Sequence, residues 1–531
     1  METYFKRFGV MIDCSRNSIL NIQTFKKLVD YLSILGYNNI MLYTEDTYEV
    51  EGEPYFGYLK GRYSINEIKE MDEYAKSKGI ELTPCIQTLA HLAGIFRYVD
   101  YMNIKDIDDI LLVDDEKTYT FIDHLFNSLS KAFSSRNIHI GMDEAFMLGR
   151  GKYLDKYGVE EKSIIMKKHL NKVLKIATKY NFNCEIWGDM YLHAAYDNNK
   201  DNSAFVKNNI PSNLKLCCWD YYHDEEKDYI EMIEKYKKLS SNISFASGAW
   251  TWLGFCPNNT YSLRITKSAI KACIKKEIKE FYITMWGDNG GECSVFGVLP
   301  TLVAASQFAK NNFDIESIKR IFKEKIRMDY DTFNLLESLD RIYSKNDNDR
   351  EDPSKVMLYT DPFFNIFETR VIDNTAKKYY QDVAKNLKKG FNNEDFSYLF
   401  KMEYSLARVL EIKFELSKET KKAYKAKDFE TLNNIANKKY PLLLKRLERF
   451  YNDFRNLWLK ERKPFGFEVQ DIRIGGVIQR IKYCRFRLNE FLNNKIRVIE
   501  ELEEEILEPL GMSGEGIAYN YYGVLPTTYN I

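Results

Sequence analysis

The sequence contains no hydrophobic run approaching the roughly 20 residues that a membrane span requires. Met1 to Arg7 likewise lacks the apolar stretch of about 7–15 residues expected of a secretory signal. A cytoplasmic location and no membrane partner are therefore expected. Excess charge of either sign is missing too: 77 lysines and arginines balance 77 aspartates and glutamates. No global field draws in nucleic acid or anionic lipid, so neither is an expected partner. Nine cysteines in 531 residues are too sparse for a disulfide scaffold, and no pair has C-x-x-C spacing. Cys14, Cys85, Cys184, Cys217 and Cys218 fall in apolar, strand-like runs and read as small core residues. The six histidines are isolated from one another, without an H-x-x-x-H or H-E-x-x-H pattern, so neither a metal nor a cofactor is expected.

A chain of 531 residues exceeds what one compact core organises, and two domains, or a large barrel with an appendage, are expected. From residue 7 to about 310, β-rich runs alternate with amphipathic helical stretches. The runs are Phe8–Asp13, Asn39–Thr44, Ile80–Gln87, Asn137–Met142, Cys184–Trp187, Leu214–Trp219, Ile243–Ser247 and Glu280–Trp286. Eight βα repeats with near-continuous apolar strands predict a (β/α)8 TIM barrel over residues 1–310, whose reactive groups belong at the C-terminal strand ends. Beyond that point strand signals fade and long charged helical patterns take over, predicting an α-helical C-terminal domain over 311–531. Within it, Asp428–Trp458 and Gly475–Leu510 read as long helices. The stripe Phe450, Tyr451, Phe454 and Trp458 reads as core.

The predicted fourth strand runs straight into two adjacent carboxylates, His139-Ile140-Gly141-Met142-Asp143-Glu144. Successive strand residues face opposite sides, so both acids line one pocket only if the chain leaves the strand there. An Asp-Glu pair is ordinarily a surface or ion-paired feature. Here five of the six tryptophans, Trp187, Trp219, Trp250, Trp252 and Trp286, also close hydrophobic runs, several beside an acid such as Asp189, Asp220 or Asp288. Indole faces stack on the C–H faces of a sugar while carboxylates accept from its hydroxyls, so a carbohydrate pocket is expected.

The motif His139-x-Gly141-x-Asp143-Glu144 resembles the H-x-G-x-D-E signature of glycoside hydrolase family 20, the exo-β-N-acetylhexosaminidases. The resemblance spans the barrel, roughly residues 7–310. It implies release of terminal non-reducing β-linked GlcNAc or GalNAc from an oligosaccharide or glycoconjugate, with retained configuration and substrate assistance rather than an enzyme nucleophile. By match to the motif, Glu144 is the general acid and base, needing a raised pKa from burial among indoles. Asp143 holds the 2-acetamido N–H so that its carbonyl oxygen attacks the anomeric carbon. Arg16 resembles the arginine that grips ring hydroxyls. Glu45 and Asp46 occupy the place of an acidic pair, and His91 is similar to the histidine that, with one of them, orients the acid. Trp187, Trp219 and Trp286 wall the sugar subsite.

The chain also departs from the family pattern. Where the family has W-x-E, this sequence has Trp286-Gly287-Asp288, with Glu292 as the alternative ligand in the same loop. Trp250-Thr251-Trp252 stands near the family Y-x-D with neither tyrosine nor acid, so the acetamido carbonyl side is unassigned, with Tyr221 and Tyr222 as the residues that could reach it. The small α/β domain that often precedes this barrel is not expected, since the first strand starts near Phe8. Two rival readings stay open: a glycosidase with two working carboxylates, Glu144 as acid with Glu292 or Asp288 as nucleophile, and a non-catalytic sugar-binding protein.

Overall fold

A computed structural model describes residues 3–196, 201–344, 350–509, 516–519 and 521–529. The chain divides into two compact units, one of Met1–Ala249, Ser262–Trp286 and Thr301–Ile318, the other of Trp250–Tyr261, Gly287–Pro300 and Lys319–Ile531. The division is less simple than a single cut near residue 310. The chain that follows the seventh and eighth strands, residues 250–261 and 287–300, belongs to the second unit.

The first unit is a closed, all-parallel barrel. Its strands are β1 Arg7–Asp13, β2 Asn39–Thr44, β3 Glu81–Ile86, β4 Asn137–His139, β5 Asn183–Trp187, β6 Lys215–Trp219, β7 Ile243–Gly248 and β8 Glu280–Met285. Each pairs with its neighbours in sequence, and β8 closes on β1 through pairs such as Arg7 with Glu280 and Ile12 with Met285. Most strand positions are buried because helices cover the outer face while side chains fill the lumen. The lumen holds Met11, Met41, Tyr43, Cys85, Trp187, Cys217, Ala246 and Tyr282, with Trp219 and Trp286 partly exposed above them. Burying each such large side chain contributes about 1.5–3 kcal/mol. At the opposite end, the N-terminal ends of the strands bring Arg7 to Glu81 at 3.0 Å and Lys215 to Glu280 at 2.6 Å, which neutralises the charges closing the barrel floor.

Local sequence sets the helix limits. Ile22–Leu35 starts at the Asn21 cap and stops at Gly36, whose φ of 89° an L-residue resists. Ile65–Ser77 starts with a Ser64/Glu67 capping box.

The predicted fourth strand, Asn137–Met142, ends three residues early. Gly141 at φ 72° and Met142 at φ 71° turn the backbone out of the strand. A Cβ on Gly141 would overlap the Gln87 side chain and lie 2.7 Å from the Ile86 carbonyl, so this turn requires glycine.

The second unit is helical. Ser397–Lys413, Tyr440–Glu461 and Phe467–Leu492 are its longest helices, and Phe450, Phe454 and Trp458 are fully buried among them. Asp428–Trp458 is not one helix, because a π turn at Ile435–Lys439 interrupts it. Gly475–Leu510 is displaced as well: the helix starts at Phe467, after Gly466 at φ 89°, and runs through Gly475 and Gly476, whose absent side chains point into open space.

Candidate active site

The C-terminal ends of β2, β3, β4 and β5 bring one polar network together. Gln87, immediately after β3, is fully buried and organises it. Its amide nitrogen donates to Asp143 Oδ1 at 2.8 Å and to the Tyr43 hydroxyl at 3.0 Å, while its carbonyl oxygen accepts the Met142 N–H at 3.2 Å. One side chain thus fixes both the Asp143 carboxylate and the turn that carries it.

His91 Nε2 lies 3.2 Å from Asp143 Oδ2 and 3.6 Å from Glu144 Oε2. It meets neither along a straight hydrogen bond, so the contact is an ion pair. Burial works against the imidazolium, but Asp143, and after it Glu45, outweigh burial and raise the His91 pKa to about 9. At Asp143 burial acts the other way and alone would raise the carboxyl pKa. The His91 charge and the Gln87 hydrogen bond overcome it and hold the carboxyl below its ordinary value. Asp143 is therefore ionised through the neutral range. Glu144 differs: its side chain is 47% exposed. The expected burial of this acid among indoles is not found. Its backbone has φ 52°, so the second carboxylate leaves the strand direction and shares the pocket with the first.

Glu45 and Asp46 diverge. Glu45 accepts from Arg16 Nε at 3.2 Å and from Tyr43 at 3.4 Å; its burial raises its pKa against the opposing pull of Arg16. Asp46 turns away to Lys60 at 2.7 Å, so Glu45 is the member of the pair whose charge His91 feels. Arg16 also lies 5.9 Å from the Trp286 ring centre and 6.0 Å from that of Tyr43.

Asp189, at the end of β5, accepts the Glu144 N–H at 2.9 Å and the Trp219 indole N–H at 3.5 Å. Burial first, and the Asp143 charge second, push its pKa up to about 7.

The aromatic residues separate into wall and support. Trp219 stacks on Tyr221 with ring centres 5.2 Å apart. Trp187 is only 2% exposed and underlies the pocket, 4.3 Å from the His139 ring and 6.1 Å from Trp286, so its expected place as an open wall is corrected to support. Tyr221 is buried, whereas Tyr222 is half exposed.

Among the described residues, His139, Glu185 and Cys217 are the one cluster with metal-ligand composition. His139 Nδ1 accepts the Gly141 N–H at 3.2 Å. The neutral ring consequently carries its proton on Nε2 and presents a donor there, not a lone pair. The cluster reads as lumen core.

Residues 5–229 match the family profile described as "Glycosyl hydrolase family 20, catalytic domain", and residues 331–517 that of "Glycoside Hydrolase 20C C-terminal domain". The chain belongs to glycosyl hydrolase family 20. Hexosaminidase D from Homo sapiens is 20% identical over 41% of this chain and 45% of its own length. Hexosaminidase D from Bos taurus is 23% identical over 41% of this chain and 64% of its own. The match thus spans about half to two thirds of these relatives. A Flavobacterium johnsoniae chitobiase structure is 14% identical over 86% of this chain and 78% of that one, with a TM-score of 0.48.

The remaining residues predicted for a family 20 pocket lie in the second unit. Trp250 and Trp252 stack there, ring centres 4.5 Å apart, both nearly buried, with Arg350 5.9 Å from the Trp250 ring. Glu292 is 1% exposed, with one oxygen 3.0 Å from Arg473 and the other 3.2 Å from Lys355. That pairing corrects Glu292 as a ligand or nucleophile, since both oxygens are already committed to buried cations. Asp288 lies half-buried in the turn after β8.

Sequence reasoning missed Gln87 and left Asp189 without a role. The signals were present: Gln87 closes a predicted strand, and Asp189 follows Trp187-Gly188 at another strand end. What the sequence does not carry is the direction of either side chain.

Proposed function

We propose that this chain is an exo-β-N-acetylhexosaminidase that removes terminal non-reducing β-linked GlcNAc or GalNAc with retention, by substrate assistance. The observation that carries this reading is the inequality of two adjacent carboxylates. Asp143 is buried and held ionised by His91 and Gln87, while Glu144 is half exposed beside it. A fixed negative charge suits the acetamido N–H and the positive charge that develops as the acetamido oxygen attacks the anomeric carbon. An accessible carboxyl suits proton delivery to the departing glycosidic oxygen and later proton removal from water. Arg16, positioned by Glu45, is the candidate for ring hydroxyls, and Trp219 and Trp286 for the sugar face.

Tyr221 or Tyr222, which follow β6 beside Trp219, is the candidate for the acetamido carbonyl side. A two-carboxylate mechanism through Glu292 is disfavoured because its oxygens are engaged by Lys355 and Arg473. The deciding experiment compares turnover of nitrophenyl β-GlcNAc with the 2-deoxy analogue that lacks the acetamido group. Substrate assistance predicts near-complete loss of kcat with the analogue. Comparable rates on both would replace this reading with an enzyme nucleophile, and no turnover of either would leave a sugar-binding protein.

A further inference from the structure

Glu144 occupies the left-handed region at φ 52°, a conformation that strains a non-glycine residue and persists only where its surroundings hold it. The preceding turn offers little slack, since Met142 also has positive φ and its N–H is held by Gln87. The Glu144 N–H is held from the chain that follows β5, by Asp189 Oδ2 at 2.9 Å. Asp189 is itself 4% exposed and opens the helix Asp189–Tyr196, so its backbone is anchored independently of the β4 turn. Its other oxygen accepts from the Trp219 indole at 3.5 Å. Behind it, a Cβ added at Gly188 would collide with the Tyr236 ring, so the chain leading into Asp189 is closely confined.

We propose that Asp189 is the positioning residue of the Glu144 acid. By accepting the Glu144 N–H and the Trp219 N–H together, it fixes the left-handed turn that aims the Glu144 carboxyl and ties that turn to the aromatic wall. This inference rests on the reading of Glu144 as general acid. Asp189 touches no reacting atom in it. Its effect reaches the chemistry through the direction of Glu144, where a displacement of about 1 Å can cost about 10²-fold in rate.

The test uses the full chain and two aryl β-GlcNAc substrates, one with a poor leaving group and one with an activated leaving group that needs little protonation. Asp189→Ala is expected to lower kcat on the poor leaving group by about 10²-fold and on the activated one by less than about tenfold, with KM nearly unchanged. Asp189→Asn keeps an oxygen for the Glu144 N–H and is expected to recover at least about tenfold of that loss. Asp189→Glu keeps the carboxyl group but shifts the acceptor by one methylene. It carries the same leaving-group-selective loss and serves where the alanine variant does not fold. Equal losses on both substrates, a raised KM with unchanged kcat, or identical alanine and asparagine variants would overturn the positioning role. Glu144→Gln, measured in parallel, separates the two levels. If it shows no leaving-group selectivity, the acid assignment fails; if it does and the Asp189 variants do not, only the role of Asp189 fails.

Discussion

Replacing Asp143 by asparagine preserves shape and removes one charge, and two observables should respond together. Asp143 Oδ1 accepts from Gln87 at 2.8 Å and Oδ2 faces His91 at 3.2 Å. With its amide oxygen kept toward the Gln87 donor, asparagine presents its NH2 to the imidazole, and a donor replaces the carboxylate that sustained the imidazolium. The displacement of His91 from 6.5 to about 9 corresponds to about 3 kcal/mol of preference for the charged ring. Asp143 leads the groups raising it and Glu45 follows. The His91 midpoint, followed by imidazole NMR and assigned with His91→Gln, should therefore fall from about 9 to below about 7.5 in Asp143→Asn. In the same variant kcat should drop by about 10²–10³-fold, the scale for removing one preorganised electrostatic contact at a developing charge. A midpoint remaining near 9 would show that Glu45, not Asp143, sustains the charge. A kcat within about threefold of wild type would remove Asp143 from the reaction.

Glu144→Gln should lower kcat on a poor leaving group by about 10²–10⁴-fold and on an activated aryl leaving group far less, and equal losses on both would refute the acid assignment. A thiazoline mimic of the cyclic intermediate should inhibit much more strongly than GlcNAc, with comparable inhibition constants counting against substrate assistance. The raised His91 pKa contributes stability that is full below about 6.5 and lost as pH rises through about 9. Thermal melts across that window should show a decline that His91→Gln flattens, and parallel curves would contradict the linkage. Glu292→Gln leaves Lys355 and Arg473 buried without their counter-charge and should cost about 3–5 kcal/mol in urea denaturation. A change under about 1 kcal/mol would mean that the pairs are not formed.

All eight strands of the barrel were legible because a parallel strand buried on both faces writes itself as a continuous apolar run, and the βα alternation then admits few closures. The end of β4 was not, since Gly141 and Met142 leave the strand through positive φ while the residues remain apolar. That same departure brings both Asp143 and Glu144 to His91, so the early end of β4 and the convergence of the two acids have one cause. Histidine 91 was readable from its place after β3, yet its partner was not: Glu45 and Asp46 are adjacent in sequence and turn to Arg16 and Lys60 respectively. Glu292 illustrates the complementary limit. Its position after β8 suits a sugar ligand, and only long-range pairing with residues 63 and 181 positions away reveals a carboxylate engaged by buried cations. Composition and spacing therefore locate carboxylates at strand ends, but the charge each keeps depends on partners distant in the chain. At this site that partner is His91 for Asp143, whereas for Asp189 burial and the Asp143 charge act in the same direction. Of three carboxylates within one turn of β4 and β5, one is thus held charged, one half open, and one at a pKa of about 7. The three neighbouring acids therefore sit in three different electrostatic environments, set by their partners and burial and not by residue type.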